Sequence, residues 1–317
     1  ATFDGNQWST PSLVPSNSIS IHPGAHVLHY SSTCFEGLKA FRHPDGSSHI
    51  FRMDQNIKRM AQSSRLISLP SVDEAMLKTM ILDLVGRYAD DIPAAPGTLY
   101  LRPTHMGTEA AIGKAAAPSN KSMLYILASP VGDYFASGDT TLRVLIDEDG
   151  MRCAPHMGMI KGGSNYCSAM PVVNKARAEH QADQVLFAPQ GDVQETAAAN
   201  FILIDGNEVI TKALDSTFLH GVTRASVLTL AQEMGMKISE RDLSVEELLE
   251  RSAHPDAEAA LSGTAAVLTP VGTLIHHGKD HTVGTGKPGK TTVKLRKALN
   301  DIQFGLAKDR FGWLTKV

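Results

Sequence analysis

Cysteine is scarce in this chain. Cys34, Cys153 and Cys167 make an odd count with no CxxC spacing, which excludes a disulfide framework and fits the reduced thiols of a cytoplasmic protein. An excess of positive charge is also missing. Thirty Lys and Arg stand against 33 Asp and Glu, for a formal charge of −3, and this offers no footing on a phosphate backbone. No apolar run approaches the roughly 20 residues of a membrane helix. The opening ATFDGNQWSTPS lacks the basic segment and apolar block of a secretory signal. Internal repeats and low-complexity tracts are absent as well. The expected partners are therefore small molecules and further copies of the chain, with neither nucleic acid nor membrane among them.

What is present is an ordinary globular composition, 42% hydrophobic and 20% charged over 317 residues, long enough for two domains. Strand-like and helix-like segments alternate irregularly, which predicts a mixed α/β (α+β) fold rather than a strict βαβ succession. LKAFR and HIFRM flank His43-Pro-Asp-Gly46 and predict a hairpin. Asp54 opens a helical stretch, and Ser71 with Glu74 has the capping-box pattern for a second helix. GTLYLRPT and SMLYILAS are strand-like. The Gly-, Ser- and Asp-rich residues 129–141 are read as an interdomain linker. It separates a small N-terminal α/β domain, residues 1–128, from a larger β-rich domain with helices, residues 142–317. Within the latter, FILID and EVIT predict a hairpin. Val227, Leu230, Ala231 and Met234 have helical spacing, and Ser244 with Glu247 caps another helix. A final helix carries Leu295, Leu299 and Ile302 on one face.

Two motifs point to chemistry that their surroundings do not support. Gly284-Thr-Gly-Lys-Pro-Gly289-Lys290-Thr291 satisfies the P-loop pattern, but the preceding HHGKDHTV is polar and poor in strand formers, so a flexible loop entering the last helix is the better reading. His276, His277 and His281 suggest a metal. Their segment is rich in Gly and Asp with no second acidic cluster nearby in sequence, so a solvated polar loop is expected and no metal is assigned.

Met159-Ile160-Lys161-Gly162-Gly163-Ser164-Asn165-Tyr166 is a different signal. A lysine behind two apolar residues is partly desolvated, which favours the neutral amine of a Schiff-base nucleophile. The glycines admit a flat ligand, and the tyrosine can hydrogen-bond it. Glu195, in QETAAANF, is a carboxylate among small residues, suited to keeping a pyridine nitrogen protonated. Gly221-Val222-Thr223 at a helix start and the Ser262-Gly-Thr264-Ala265-Ala turn offer free N–H groups to an anion. Read singly, each has an ordinary structural explanation. Together they provide an amine, a nitrogen partner and a phosphate cradle.

Taken in order from about residue 20 to the C-terminus, HYSSTCFEGLKAFR, LYLRPT, SPVGDYF, KGGSNY, QETAAANF, HGVTR, SGTAAVLTPV and DIQFG resemble the fold-type IV pyridoxal-phosphate aminotransferases. FEGLKAFR, LYLRPT and SPVGDYF are most similar to the branched-chain branch. The resemblance implies pyridoxal 5'-phosphate as cofactor, an active site between two domains, and a homodimer or higher homo-oligomer. It also implies ping-pong transfer of an amino group between Leu, Ile or Val and 2-oxoglutarate, biosynthetic or degradative. Lys161 would bind the cofactor and shuttle the proton, Glu195 would pair with the ring nitrogen, and Tyr166 with the phenolic oxygen. Arg59 would hold the phosphate with Gly221, Val222, Thr223 and Thr264. Tyr100, Thr264 and Ala265 would receive the substrate α-carboxylate, Phe35, Tyr134 and Tyr166 would wall the side-chain pocket, and Arg102 with Tyr30 would accept a distal carboxylate. Three departures stand out: a shorter N-terminus, Ala197-Ala198 in place of a glycine and a polar residue, and Ser164 after the lysine. Alternatives of the same fold type are D-amino-acid or amine transamination and aminodeoxychorismate lysis.

Overall fold

The computed structural model describes residues 1–132, 140–265 and 267–317. The chain divides into two compact units. One comprises Ala1–Asp133, Ile160–Ser164 and Ile302–Val317, and the other Tyr134–Met159 and Asn165–Asp301.

In chain order the first unit contains β1 (Thr2–Phe3), α1 (His26–Tyr30), β2 (Thr33–Phe35), β3 (Leu38–Arg42), β4 (Ser48–Phe51), α2 (Met53–Leu66), α3 (Glu74–Arg87), β5 (Thr98–Gly107) and β6 (Ser122–Val131). Its sheet runs β1-β6-β5-β3-β4 and ends on the C-terminal strand β15 (Leu314–Lys316), with β2 also pairing β5. The hairpin expected around His43–Gly46 forms as β3–β4, with Ala40 opposite Ile50. Alternate residues of a strand face opposite sides, so Leu38, Ala40, Leu99, Leu101 and Leu124 meet Met53, Ile57, Met60, Leu77, Ile81 and Val85 from the two helices in one buried cluster. Ser71 does not cap α3. Asp73 does, accepting from the Met76 amide, because the helix begins three residues beyond Ser71, out of that hydroxyl's capping reach. Ser129–Val131, read as linker in the sequence, extend β6 opposite Thr98–Tyr100. Most of the remaining linker segment lies outside the described residues.

The second unit holds β7 (Leu142–Asp147), α4 (Gly163–His180, whose first two residues belong to the first unit), β8 (Gln184–Phe187), β9 (Asn200–Asp205), β10 (Glu208–Thr211), α5 (Val222–Glu233), β11 (Lys237–Glu240), α6 (Val245–Ser252), β12 (Glu258–Gly263), β13 (Val267–His276), β14 (Lys279–Thr282) and α7 (Lys290–Gln303). Its sheet order is β11-β10-β9-β12-β13-β7-β8, with β14 on β13. Two parallel crossovers, β7-α4-β8 and β10-α5-β11, sit among antiparallel pairs, which is the mixed architecture expected. On β8 the period of two splits the side chains: Leu186 joins one core cluster, while Val185 and Phe187 join another with Ala169 and Ala176 of α4. Five of the six residues of β9 are fully buried, as a central strand covered on both faces requires.

Candidate active site

In the first unit α2 is the organising element. Asn56, Arg59 and Ser63 lie three and four residues apart and so share one helix face; all three are buried. That face meets Glu36, whose carboxylate takes Arg59 Nε at 2.6 Å and Nη2 at 2.8 Å, and Asn56 Nδ2 at 2.8 Å. The two-pronged contact suits the planar guanidinium. Burial pushes the Glu36 carboxyl up, but attraction to Arg59, with help from Lys161 and Asn56, leaves it below the usual range. Ser63 Oγ accepts the backbone N–H of Lys161 at 3.1 Å, and the Lys161 carbonyl accepts from Phe35 N at 2.9 Å. Lys161 is thus pinned by its main chain beside β2, half-buried. Its Nζ lies 5.2 Å from the Phe35 ring centre.

Phe35 also carries Arg102, whose Cζ is 4.6 Å from the ring centre, and Arg102 Nη2 donates to the Tyr100 hydroxyl at 2.7 Å. Arg102 Nε is buried and has no hydrogen-bond partner among the described residues, a donor that suits an incoming anion. A Cβ at Gly37 would overlap the Tyr100 hydroxyl, so the glycine of FEG is what lets that hydroxyl lie against the backbone. Lys161, Phe35, Tyr100 and Arg102 are therefore gathered. Tyr30 is not brought to Arg102: its hydroxyl donates to the Ile112 carbonyl and its ring packs on His26. A substrate carboxylate at Arg102 would have to win it from that carbonyl.

The second unit assembles the other residues at one end of its sheet. Glu195 and Asn200 pair across the turn Thr196–Ala199. The Glu195 side chain is almost fully buried. Its Oε1 takes Arg152 at 2.9 Å and the Leu219 amide at 2.8 Å, and Oε2 takes Asn200 Nδ2 at 3.2 Å. Burial works against the Arg152 charge, yet the adjacent Glu195 carboxylate raises its pKa above the ordinary value. Arg152 further donates to the Ala197 carbonyl at 3.2 Å and stands 5.4 Å from the Tyr166 ring centre.

Asn200 also donates to the Leu219 carbonyl at 2.7 Å, and a Cβ on Gly221 would overlap its Oδ1. It ties the Glu195 turn to the start of α5. Gly221 is the N-cap of that helix, which has no side-chain cap, leaving first-turn N–H groups at Val222 and Thr223 suited to an anion. Ser262, opposite Asn200 in the sheet register, has a buried hydroxyl with no partner among the described residues. It leads into the turn bearing Thr264 and Ala265; Ala266 and Tyr134 lie outside the described residues.

Glu36, Asn56, Ser63, Arg152 and Asn200 were not assigned roles from the sequence. Glu36 sat inside a quoted motif, and Asn56 and Ser63 share helical spacing with Arg59, which was a usable signal. Arg152 and Asn200 carried no such local signal.

The P-loop pattern finds a physical refutation. The start of α7 is occupied by the chain's own carboxylate: Glu258 accepts from the Thr291 and Thr292 amides at 2.8 and 2.7 Å, and from Thr292 Oγ1 at 2.7 Å.

The first unit thus sets an amine beside an aromatic ring and an arginine nitrogen with no partner among the described residues. The second, by itself, sets a buried carboxylate near an uncapped helix start. The family described as "Amino-transferase class IV" matches residues 33–274. Branched-chain-amino-acid transaminase 1 of Bacillus subtilis is 36% identical, the match covering 99% of this chain and 89% of that one. A probable branched-chain-amino-acid aminotransferase of Streptomyces coelicolor is 36% identical over 98% and 87%. The T.th. branched-chain amino acid aminotransferase, solved with pyridoxamine 5'-phosphate, shares the fold with a TM-score of 0.83 at 24% identity, covering 97% of each chain. The chain belongs to the class IV aminotransferases, within the branched-chain-amino-acid aminotransferase family.

Proposed function

We propose that this protein transfers the amino group of L-leucine, L-isoleucine or L-valine to 2-oxoglutarate, with pyridoxal 5'-phosphate held on Lys161. The observation that carries this reading is the buried Glu195 carboxylate, paired with Arg152 and accepting hydrogen bonds from the Leu219 amide and Asn200. A fixed anion of this kind is what a pyridine nitrogen needs to stay protonated. Within the second unit the donor set fits the cofactor elsewhere too: an uncapped α5 start and a Ser262 hydroxyl with no partner among the described residues. Once bound, pyridoxal phosphate supplies the electron sink that eases loss of the substrate Cα proton.

The remaining work falls to the chain. Lys161 Nζ anchors the aldehyde and then carries the proton that leaves Cα. Tyr166 donates to the phenolic oxygen. As the family resemblance implies, Arg59, oriented by Glu36, would hold the phosphate, and Gly221, Val222, Thr223 and Thr264 would do the same from the second unit. Tyr100 and the backbone at Thr264 and Ala265 receive the α-carboxylate, while Phe35, Tyr134 and Tyr166 wall the apolar pocket. Arg102 binds the distal carboxylate of 2-oxoglutarate, assisted by Tyr30 if its hydroxyl leaves Ile112. The same pocket thereby serves an apolar and an acidic substrate in turn, as ping-pong exchange demands. We further infer a homodimer or higher homo-oligomer, as the family resemblance implies. A cytoplasmic location accords with three free cysteines, and no helix among the described residues is long and apolar enough to cross a membrane.

The purified protein is expected to show the visible absorption band of a lysine-bound cofactor, and Lys161→Ala to lose both band and activity. With 2-oxoglutarate as acceptor, L-leucine is consumed and D-alanine is not. Turnover of the D-isomer alone would assign the site to a D-amino-acid transaminase instead.

A further inference from the structure

The second unit holds a cluster of metal-binding side chains that transamination does not use. The β13–β14 hairpin turns on His277 and Gly278, both with left-handed backbone, φ 49° and 72°. Such two-residue turns favour Asn or Asp followed by Gly, and histidine is among the residues that tolerate the left-handed conformation. Parallel pairing of β7 with β13 sets Leu145 against Ile275, so Glu148, just past the end of β7, arrives at the same turn. Its Oε2 lies 2.6 Å from His276 Nε2 and 3.6 Å from His277 Nε2, and the three donor atoms are all within 4.8 Å of one another. Among the described residues no lysine or arginine pairs with the Glu148 carboxylate. The sequence hid this arrangement, because the acidic partner stands 128 positions upstream.

We propose that Glu148, His276 and His277 form a binding site for a single divalent transition ion of the Zn2+ type. Two imidazoles and one carboxylate are a common zinc donor set, and water completes the tetrahedron. Donor atoms around tetrahedral zinc stand about 3.3 Å apart. Reaching that spacing needs the Glu148–His276 contact to open slightly and the exposed His277 ring to swing in. His281, on β14, holds a third imidazole with its ring centre 6.3 Å from that of His276, outside the trio of donor atoms.

The test uses tag-free, chelator-treated holoenzyme dialysed against Zn2+ alone. Wild type is expected to retain one zinc per chain at micromolar concentrations and to gain thermal stability from it. Glu148→Gln and His277→Asn should each weaken retention by about tenfold or more. Asparagine suits the turn better than histidine, so His277→Asn should melt no lower than wild type without zinc, and zinc should not raise its midpoint. Failure of wild type to bind saturably, or undiminished binding in both variants, would overturn the proposal.

Discussion

Glu36 and Arg59 lie in the first unit with no more than a few per cent of the acid exposed. Breaking such a pair leaves a buried charge without its counterpart and costs about 3–5 kcal/mol. Glu36→Gln is therefore expected to lower the melting midpoint and, by loosening Arg59, to weaken cofactor retention on dialysis. The pH dependence has a definite sign. The Glu36 carboxyl is depressed in the folded chain from an ordinary value of 4.5, so its contribution is present in full above that value. It drains away as the pH falls through the lower folded value. Acid unfolding curves of wild type should steepen below pH 4.5, and those of Glu36→Gln should be flatter there. Parallel acid limbs would show that the pair does not carry the effect. The residues proposed to bond or transfer protons carry a local pattern in the sequence, lysine before two glycines and glutamate before small residues. The residues that hold them, Arg152 above all, act through contacts with distant parts of the chain: Arg152 meets Glu195 from 43 positions away.

At the scale of elements, legibility followed the strength of the local signal. Ser244 caps α6 as expected, accepting from the Glu247 amide, whereas Ser71 lost the corresponding role to Asp73, since two capping residues two positions apart compete and the pattern cannot choose. The final helix illustrates a different failure. A glycine-lysine motif and a helix start describe an anion site equally well whether the anion is a nucleotide or a side chain. Here it is Glu258, from β12, and Gly289 lies so close to that carboxylate that a Cβ would strike it. Glu258→Ala should destabilise the protein by about 1 kcal/mol, the usual value of a lost cap with favourable dipole charge, read as a lower denaturation midpoint. Lys290→Ala should leave both stability and transaminase rate within error of wild type. Loss of activity in the lysine variant would reopen the nucleotide reading.

Over the whole molecule, the two-domain expectation missed the discontinuity. Ile160–Ser164 and Ile302–Val317 count with the first unit although the chain leading into each belongs to the second. Composition marks a break between neighbours in sequence; it gives no hint that a five-residue stretch returns to an earlier sheet, as Gly162 does in bridging to Cys34. The C-terminal strand returns in the same way: β15 pairs with β4, and Trp313 meets Phe51 edge-on at 5.6 Å. Removing residues 312–317 takes away this strand and a buried aromatic contact worth about 3–5 kcal/mol by analogy with core Trp truncation. The truncated chain is expected to show accelerated proteolysis of β4, followed by mass spectrometry of early fragments, while peptides from β9 and β12 stay protected.

That returning strand also imposes an order on synthesis. A ribosome has delivered every residue of β7 through β14 before Leu314 emerges to take its place beside Phe51. The half of the protein translated first is thus completed late, and its open β4 edge must wait, exposed to chaperones or to neighbouring chains, until β15 has been made.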